Sequence, residues 1–354
     1  MKPLAVLLIV LTAAVCANAA KTTERVIDPV ARAQVEATFI LNGVSYKLYD
    51  GKIYRVNKQT GKWQFVAQGY DPDYCKKNYV ERHGLVFRKT DNGTLYEVKR
   101  FLSEDFENTE TILDLINIKR GWTSMTLQSP TTPTIKDYVR LRQSILKGKS
   151  SFLDNYIALT SQIVHSGQHA LKTYSVAKSP NMVTAKASLD TELLHFVKGD
   201  DVWFSAWYFI PENSGMPTTI MDLETTWFRG QPGIRIFLFG NKYAGFELKW
   251  GAKPKYRQKR GHEIAFPIAK WVHLKYHLRL SEKQDGVIQL WQDGHKIVDT
   301  FGQTLPLAHT IYNSLEIGLT AYSTGPQAAC LYVDDMTISA RPIDTVRVQR
   351  QPSP

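Results

Sequence analysis

The stretch WVHLKYHLRLSEKQDGVIQLWQDGHKIVD, Trp271 to Asp299, decides the fold. In its first half Val272, Leu274, Tyr276, Leu278 and Leu280 alternate with His273, Lys275, His277 and Arg279. Strict period two is the period of a strand, so one face packs on a core and the other carries ionisable groups. Asp285-Gly286 and Asp293-Gly294 supply residues that tolerate positive φ where the chain must reverse. Two successive hairpins are therefore predicted, with a row of His, Lys and Arg on one face.

Working outward, strand-like runs recur from Ser151 to Arg341, among them HALKTYSV, DVWFSAWYFI, TTIMDLETTW, GIRIFLFG, AGFELKWG, SLEIGLTAY and CLYVDDMTIS. Many short strands without a long helical period predict an all-β, two-sheet sandwich or jelly roll. Upstream, residues 36–100 read as short strands turned at Asn42-Gly43, Asp50-Gly51, Thr60-Gly61 and Asn92-Gly93, a small antiparallel β-meander. Between the two, Ser129-Pro130 and Thr132-Pro133 interrupt the chain and predict an extended crossover rather than a helix. The expected organisation is a signal peptide at 1–20, a small β-rich N-terminal domain at 21–100, the jelly roll at 101–345 and a tail at 346–354.

The first segment has the form of an export signal: Lys2, an apolar run from Leu4 to Val15, and Ala17-Asn18-Ala19 as a cleavage site. The run is too short to span a bilayer well, and no membrane or lipid anchor is expected, so the protein is predicted to be secreted or periplasmic. Cys75 and Cys330 survive processing; two cysteines so far apart can pair in an oxidising compartment but are not a disulfide framework. The net charge of +11 suits a polyanionic partner. There is no dinucleotide-binding glycine loop, no P-loop and no zinc-spaced His/Cys set.

The order HSGQHALKTYSV, GDDVWFSAWYFIPE, the Trp271–Asp299 hairpins and CLYVDDMTIS resembles the concanavalin A-like jelly rolls of polysaccharide lyases, the heparin lyase I and glucuronan lyase group above all. In that group a tryptophan opens a strand and a DG-x-hydrophobic-x-hydrophobic-W-x-D-G hairpin follows; Trp271, Asp285-Gly286, Trp291 and Asp293-Gly294 take those places. The likeness spans about Glu104 to Arg341, and its motifs are those of the fold rather than of catalysis. It implies β-elimination on an acidic, uronate-containing polysaccharide. A second likeness, to carbohydrate-binding jelly rolls, rests on Asp105-Phe106-Glu107 and Val333-Asp334-Asp335; it implies a structural calcium held by Glu107 and Asp335, hard oxygen ligands from the two ends of the sandwich.

Period two also assigns faces. With Met221 and Leu223 inward, Asp222 and Glu224 point outward; with Ile234, Ile236 and Leu238 inward, Arg235 points outward; Phe246, Leu248 and Trp250 alternate with Glu247 and Lys249. If these strands neighbour the His273–Lys275–His277 strand in one sheet, the face forms a groove for a sugar chain. Cleavage of a uronate removes its C5 proton and expels the C4 oxygen, which requires its carboxylate to be neutralised. Arg235 or Lys249 suits that task, His273 or His277 suits the base, and Tyr256 suits proton return, with Tyr243 a weaker choice. Asp222, Glu224, Lys249, Trp250 and Lys275 are candidate sugar contacts. KWGAKPKYRQKR, Lys249 to Arg260, reads as a basic, aromatic groove rim or as a solvated loop. Basic and aromatic residues also hold single-stranded nucleic acid, but the signal peptide argues against that partner.

Two alternatives stay open. One is a non-catalytic, lectin-like jelly roll that only binds carbohydrate. The other is a glycoside hydrolase, since Asp222-Leu223-Glu224 places two acids on one strand face and resembles part of an E-x-D-x-x-E motif; Ile220 stands where its first glutamate would be.

Overall fold

The structure is a computed structural model that describes residues 37–343, apart from 42–43, 50–51, 58, 69–77, 91–92, 227–230, 250–252, 307, 309 and 324. The expected signal segment, the tail at 346–354, Cys75 and Trp250 lie outside the described residues.

Two small sheets come first. β1 (Ala37–Leu41), β2 (Val44–Tyr49), β3 (Lys52–Val56) and β4 (Trp63–Gln68) form an antiparallel meander in chain order. β5 (Tyr79–Arg82), β6 (Leu85–Lys89) and β7 (Leu95–Glu97) form a second one. The region read as one meander is thus two. The second meander leans on the sandwich through the Arg88–Glu192 ion pair (2.7 Å) and the Tyr79–His195 ring contact.

The remaining strands make a two-sheet sandwich. The back sheet has eight strands in the order β10 (Tyr156–Thr160), β11 (Ala170–Ser175), β22 (Ala329–Ser339), β13 (Asp201–Phe209), β18 (Val272–Arg279), β19 (Gly286–Gln292), β20 (His295–Gly302), with β8 (Phe101–Glu104) also paired to β22. The front sheet has seven: β17 (Lys255–Tyr256), β16 (Tyr243–Leu248), β15 (Gly233–Phe239), β14 (Thr219–Glu224), β21 (Ser314–Tyr322), β12 (Ala185–Thr191), β9 (Ser124–Thr126). Both are antiparallel throughout, as the hairpin signals predict.

The inner faces meet in one core. Phe204, Ala206 and Tyr208 of β13, Leu274 and Tyr276 of β18, and Ile288 and Leu290 of β19 face Met221, Leu223, Ile234, Ile236 and Phe246 of the front sheet. Phe204 stacks on Tyr276 within the back sheet (5.0 Å), and Phe246 meets Tyr276 edge-on across the gap (5.6 Å). Burial of such side chains, worth roughly 1.5–3 kcal/mol each, is what fixes register, because a one-residue slip would turn every one of them outward.

Two features depart from the sequence reading. The segment after Pro133 is not extended throughout: Ile135–Leu146 is a helix, α2, preceded by one short turn of helix, α1, at Ile112–Leu115. Thr134 caps α2 in a reciprocal box with Asp137, so the prolines end just where the helix begins and do not interrupt it. The second feature is a bulge in β22, where Asp335 adopts φ +47° and the pairing with β13 shifts between Ser205 and Trp207. The extra residue puts Asp334 and Asp335 side by side between the buried Val333 and Met336.

Gly318, in the middle of β21, has φ +106°, and a Cβ there would come within 2.5 Å of Thr173 from the opposite sheet. Close approach of the sheets at this point requires glycine. Gly318→Ala is expected to destabilise the protein by about 2–4 kcal/mol through overpacking and left-handed strain, read as a lower denaturant midpoint at unchanged slope.

Candidate active site on the front sheet

Strand alternation on β14, β15 and β16 places Asp222, Glu224, Arg235 and Glu247 on the outer face of the front sheet, and Lys249 follows directly after β16. The registers align Asp222, Arg235 and Glu247 into a row, with Glu224 two residues further along β14, opposite Gly233. Asp190 pairs with Glu316, Glu316 with Asp222, Asp222 with Arg235, Arg235 with Glu247, and Glu247 with Lys255. Asp190, Glu316 and Lys186 have no place in the sequence reading of this face, and Glu247 is on it there without a role. The signal was present in the alternation of SLEIGLTAY and AKASLDT, but only the strand order shows that these residues meet Asp222 and Arg235.

This outer face is recessed. β14 and β21 are buried at every position, on both faces, whereas β18 alternates between buried and partly exposed. Asp222 and Glu224 are each only 1% exposed and Glu247 3%. Removing that many ions from water costs several kcal/mol each unless they are paired. Pairing is extensive: Arg235 holds Glu247 through Nε (3.0 Å) and Nη2, Lys249 holds Glu224, Lys186 holds Glu316 (3.2 Å), and Lys255 reaches Glu247 (3.4 Å). Asp190 accepts from Thr126 and Ser188 hydroxyls at 2.7 and 2.8 Å. One buried oxygen, Oδ1 of Asp222, has no hydrogen-bond partner among the described residues.

The electrostatic consequences follow. Burial pushes the Glu224 carboxyl up to about 7, against the pull of Lys249 and helped by the charges of Asp222 and Glu316. Burial and the Glu316 charge raise Asp190 well above the usual carboxylate range, although its hydroxyl donors oppose the shift. Burial disfavours the Lys186 ammonium, but Glu316, Asp222 and Glu224 outweigh it and hold the proton on. Tyr138 of α2 lies within electrostatic reach of Lys186 and Glu316, and burial raises its hydroxyl pKa. The recess thus combines fixed cations with a carboxyl that titrates near neutrality.

The other sequence candidates are elsewhere. His273, Lys275 and His277 lie on β18 of the back sheet, so they do not share a face with Arg235 or Lys249. Their strand pairs with β13 and β19, and with Val272, Leu274 and Tyr276 filling the core they must point away from the front sheet. There His277 contacts Asp201 (2.8 Å) and Gln289 (3.1 Å) and stacks on Trp203 (4.1 Å), while His273 meets Ser205 (2.7 Å). Lys275 sits 5.4 Å above the Trp203 ring. Tyr256 also departs from its expected place: it pairs with the inward Phe246 and packs against the core beside Gly302, not in the groove.

Glu107 and Asp335, the candidate metal ligands, close on one loop. Glu107 accepts the N–H groups of Gln168 and His169 (2.9 and 2.8 Å), and Asp335 accepts from His165 Nδ1 (2.7 Å) and from Ser166 Oγ (3.0 Å). Among the described residues no group of three or more His, Cys, Asp or Glu side chains is placed to hold a metal.

Comparison with known proteins now adds the family. Residues 118–335, more than half of the chain, match the family described as polysaccharide lyase. The protein belongs to this family, which makes it a carbon–oxygen lyase acting on a polysaccharide. No curated protein matches the sequence. Similar solved structures include the cellulose induced protein Cip1 (18% identity, 53% of this chain and 87% of that one, TM-score 0.40). Others are the endo-β-1,4-glucuronan lyase of the fungus Trichoderma reesei (11%, 62% and 95%, TM-score 0.39) and alginate lyase Aly36B (8%, 68% and 97%, TM-score 0.40).

Arg235→Met should destabilise the protein by about 3 kcal/mol, because Glu247 is left buried with only the more distant Lys255. The double variant Arg235→Met/Glu247→Leu should recover most of that loss, and chemical denaturation of the three proteins measures it. A double variant no more stable than the single one would mean that the pair carries no desolvation penalty.

Proposed function

We propose that the protein is an exported lyase that cleaves a uronate-containing polysaccharide by β-elimination in the recess of the front sheet. The observation that carries this reading is the outer-face cluster in which Lys249 holds Glu224 and Arg235 lies within electrostatic reach of it. Uronate C5–H is a weak acid until its carboxylate is neutralised. Arg235 has Nη1 donors beyond those spent on Glu247 and offers a planar fork to a carboxylate; Lys249 adds a second cation. Glu224, with its pKa near 7, takes the C5 proton. The C5–H electrons form the C4–C5 double bond, the C4–O bond breaks, and the leaving oxygen takes the proton back from Glu224. One carboxyl thereby serves as base and then as acid.

The test is the ultraviolet absorbance of new unsaturated uronate ends on a panel of alginate, glucuronan and glycosaminoglycans. Activity is expected to rise with pH through about 7, because Glu224 must be ionised to act as base. Glu224→Gln and Arg235→Ala should each lower kcat by about a hundredfold or more. His273→Ala and His277→Ala should retain activity. A hydrolase reading has one favouring observation, the neighbouring acids Asp222, Glu224 and Glu316; new reducing ends without unsaturation would select it. Binding without either product would select the lectin-like reading.

We also propose that calcium ties Glu107 and Asp335 across the Val164–His169 loop. Two carboxylates far apart in the sequence, carried on or next to the paired strands β8 and β22 and closing on one loop, support it, with loop carbonyls and water completing an oxygen shell. EDTA should lower the melting temperature and calcium restore it, and Glu107→Ala should abolish that response. A melting temperature indifferent to both would contradict the site.

A further inference from the structure

Within the basic segment that follows β16, Lys255 and Tyr256 extend the front sheet as β17. The segment's conformation is fixed by two inward side chains. Gln258 is buried and makes three hydrogen bonds, donating to the carbonyls of Ala244 and Ile264 (3.1 Å each) and accepting from the Ile264 N–H (2.7 Å). Tyr256 packs against the core beside Gly302. With Tyr256 and Gln258 turned in, Lys255, Arg257 and Lys259 are exposed.

The stretch Lys255 to Lys259 borders the last strand of the back sheet. β17 and β20 are the free edges of the two sheets, and between them lies a cleft of about 430 Å³. Lys255, Arg257, Lys259 and Lys296 line it against one carboxylate, Asp299, so four positive charges and one negative leave it at net +3. Rings hold three of the cations in place: Arg257 over Phe239 (4.6 Å), Lys255 over Phe237 (5.5 Å) and Lys296 over Trp291 (5.5 Å). Phe237 and Phe239 lie on the front exterior and Trp291 on the back exterior, so Lys255, Arg257, Lys259 and Lys296 form a basic track across the edge of the sandwich. At one end Lys255 touches Glu247 of the catalytic row, and at the other Lys296 adjoins Trp291 on the back face.

We infer that this edge cleft is a distal binding site for the same acidic polysaccharide, carrying a chain that leaves the front-sheet recess around the open edge of the sandwich. The inference rests on the uronate reading of the recess. The occupant follows from charge complementarity: carboxylates repeat along such a chain, so a polymer long enough to reach the cleft gains affinity from the second contact, and a short oligosaccharide does not.

The experiment titrates the full chain with a long polyuronate and with a uronate tetrasaccharide. Lys259→Ser/Lys296→Ser is compared with Lys147→Ser/Lys149→Ser, which removes the same charge from the exposed end of α2. The cleft variant should weaken polymer binding about fivefold or more and tetrasaccharide binding less than about twofold, and the control should change both less than about twofold. Equal polymer affinity in the two variants, equal weakening of both ligands, or no polymer binding by the unaltered protein would overturn the inference. Formation of unsaturated ends from saturating tetrasaccharide by the unaltered protein tests the catalytic reading separately, since it reads product and not polymer affinity.

Discussion

Packing of two pleated sheets on a single core governs where chemistry can occur in this protein. Each inward residue commits its chain neighbours to the exterior, and a sandwich has two exteriors, on opposite sides of sheets packed about 10 Å apart. Tyr276, in contact with Phe204 and Phe246, is therefore as decisive for His277 as any partner of the imidazole itself. Because Leu274 and Tyr276 are fully buried, no side-chain rotation brings His273 or His277 to Arg235. The same rule collects Asp222, Arg235 and Glu247 on the opposite exterior, in register and in reach of one another.

The two exteriors differ in their electrostatics. On the back sheet the ionisable and aromatic groups are partly exposed and find partners along the surface, as His277 does with Asp201 and Trp203. On the front sheet they are recessed, and ion pairing offsets a desolvation cost that hydrophobic side chains would avoid altogether. Such an arrangement is poor stability design and good site design: cations already oriented, a carboxyl raised toward neutrality, and little water to reorganise when a substrate charge arrives.

The strands, their facing and their hairpin turns were legible because period two and the DG turns are local signals. Strand order is not local, and so the sheet membership of the His273–Lys275–His277 strand was beyond reach of alternation alone. The same blindness hid Lys186, Asp190 and Glu316, which read as ordinary outward residues until β12 and β21 are set beside β14. α2 has a local signal as well, the capping box of Thr134 and Asp137 immediately after Pro133, but two prolines within four residues mask it by signalling an extended chain. The β22 bulge has no comparable signature, since Val333-Asp334-Asp335-Met336 also reads as an interrupted alternation.

The central claim is that substrate occupies the front sheet. Hydrogen exchange of the full chain, with and without a bound uronate oligosaccharide, tests it by location rather than by rate. New protection is expected in β14, β15 and β16 and in the segment that follows them. Protection confined to β13, β18 and β19 would place the substrate on the histidine face and contradict the assignment of the site.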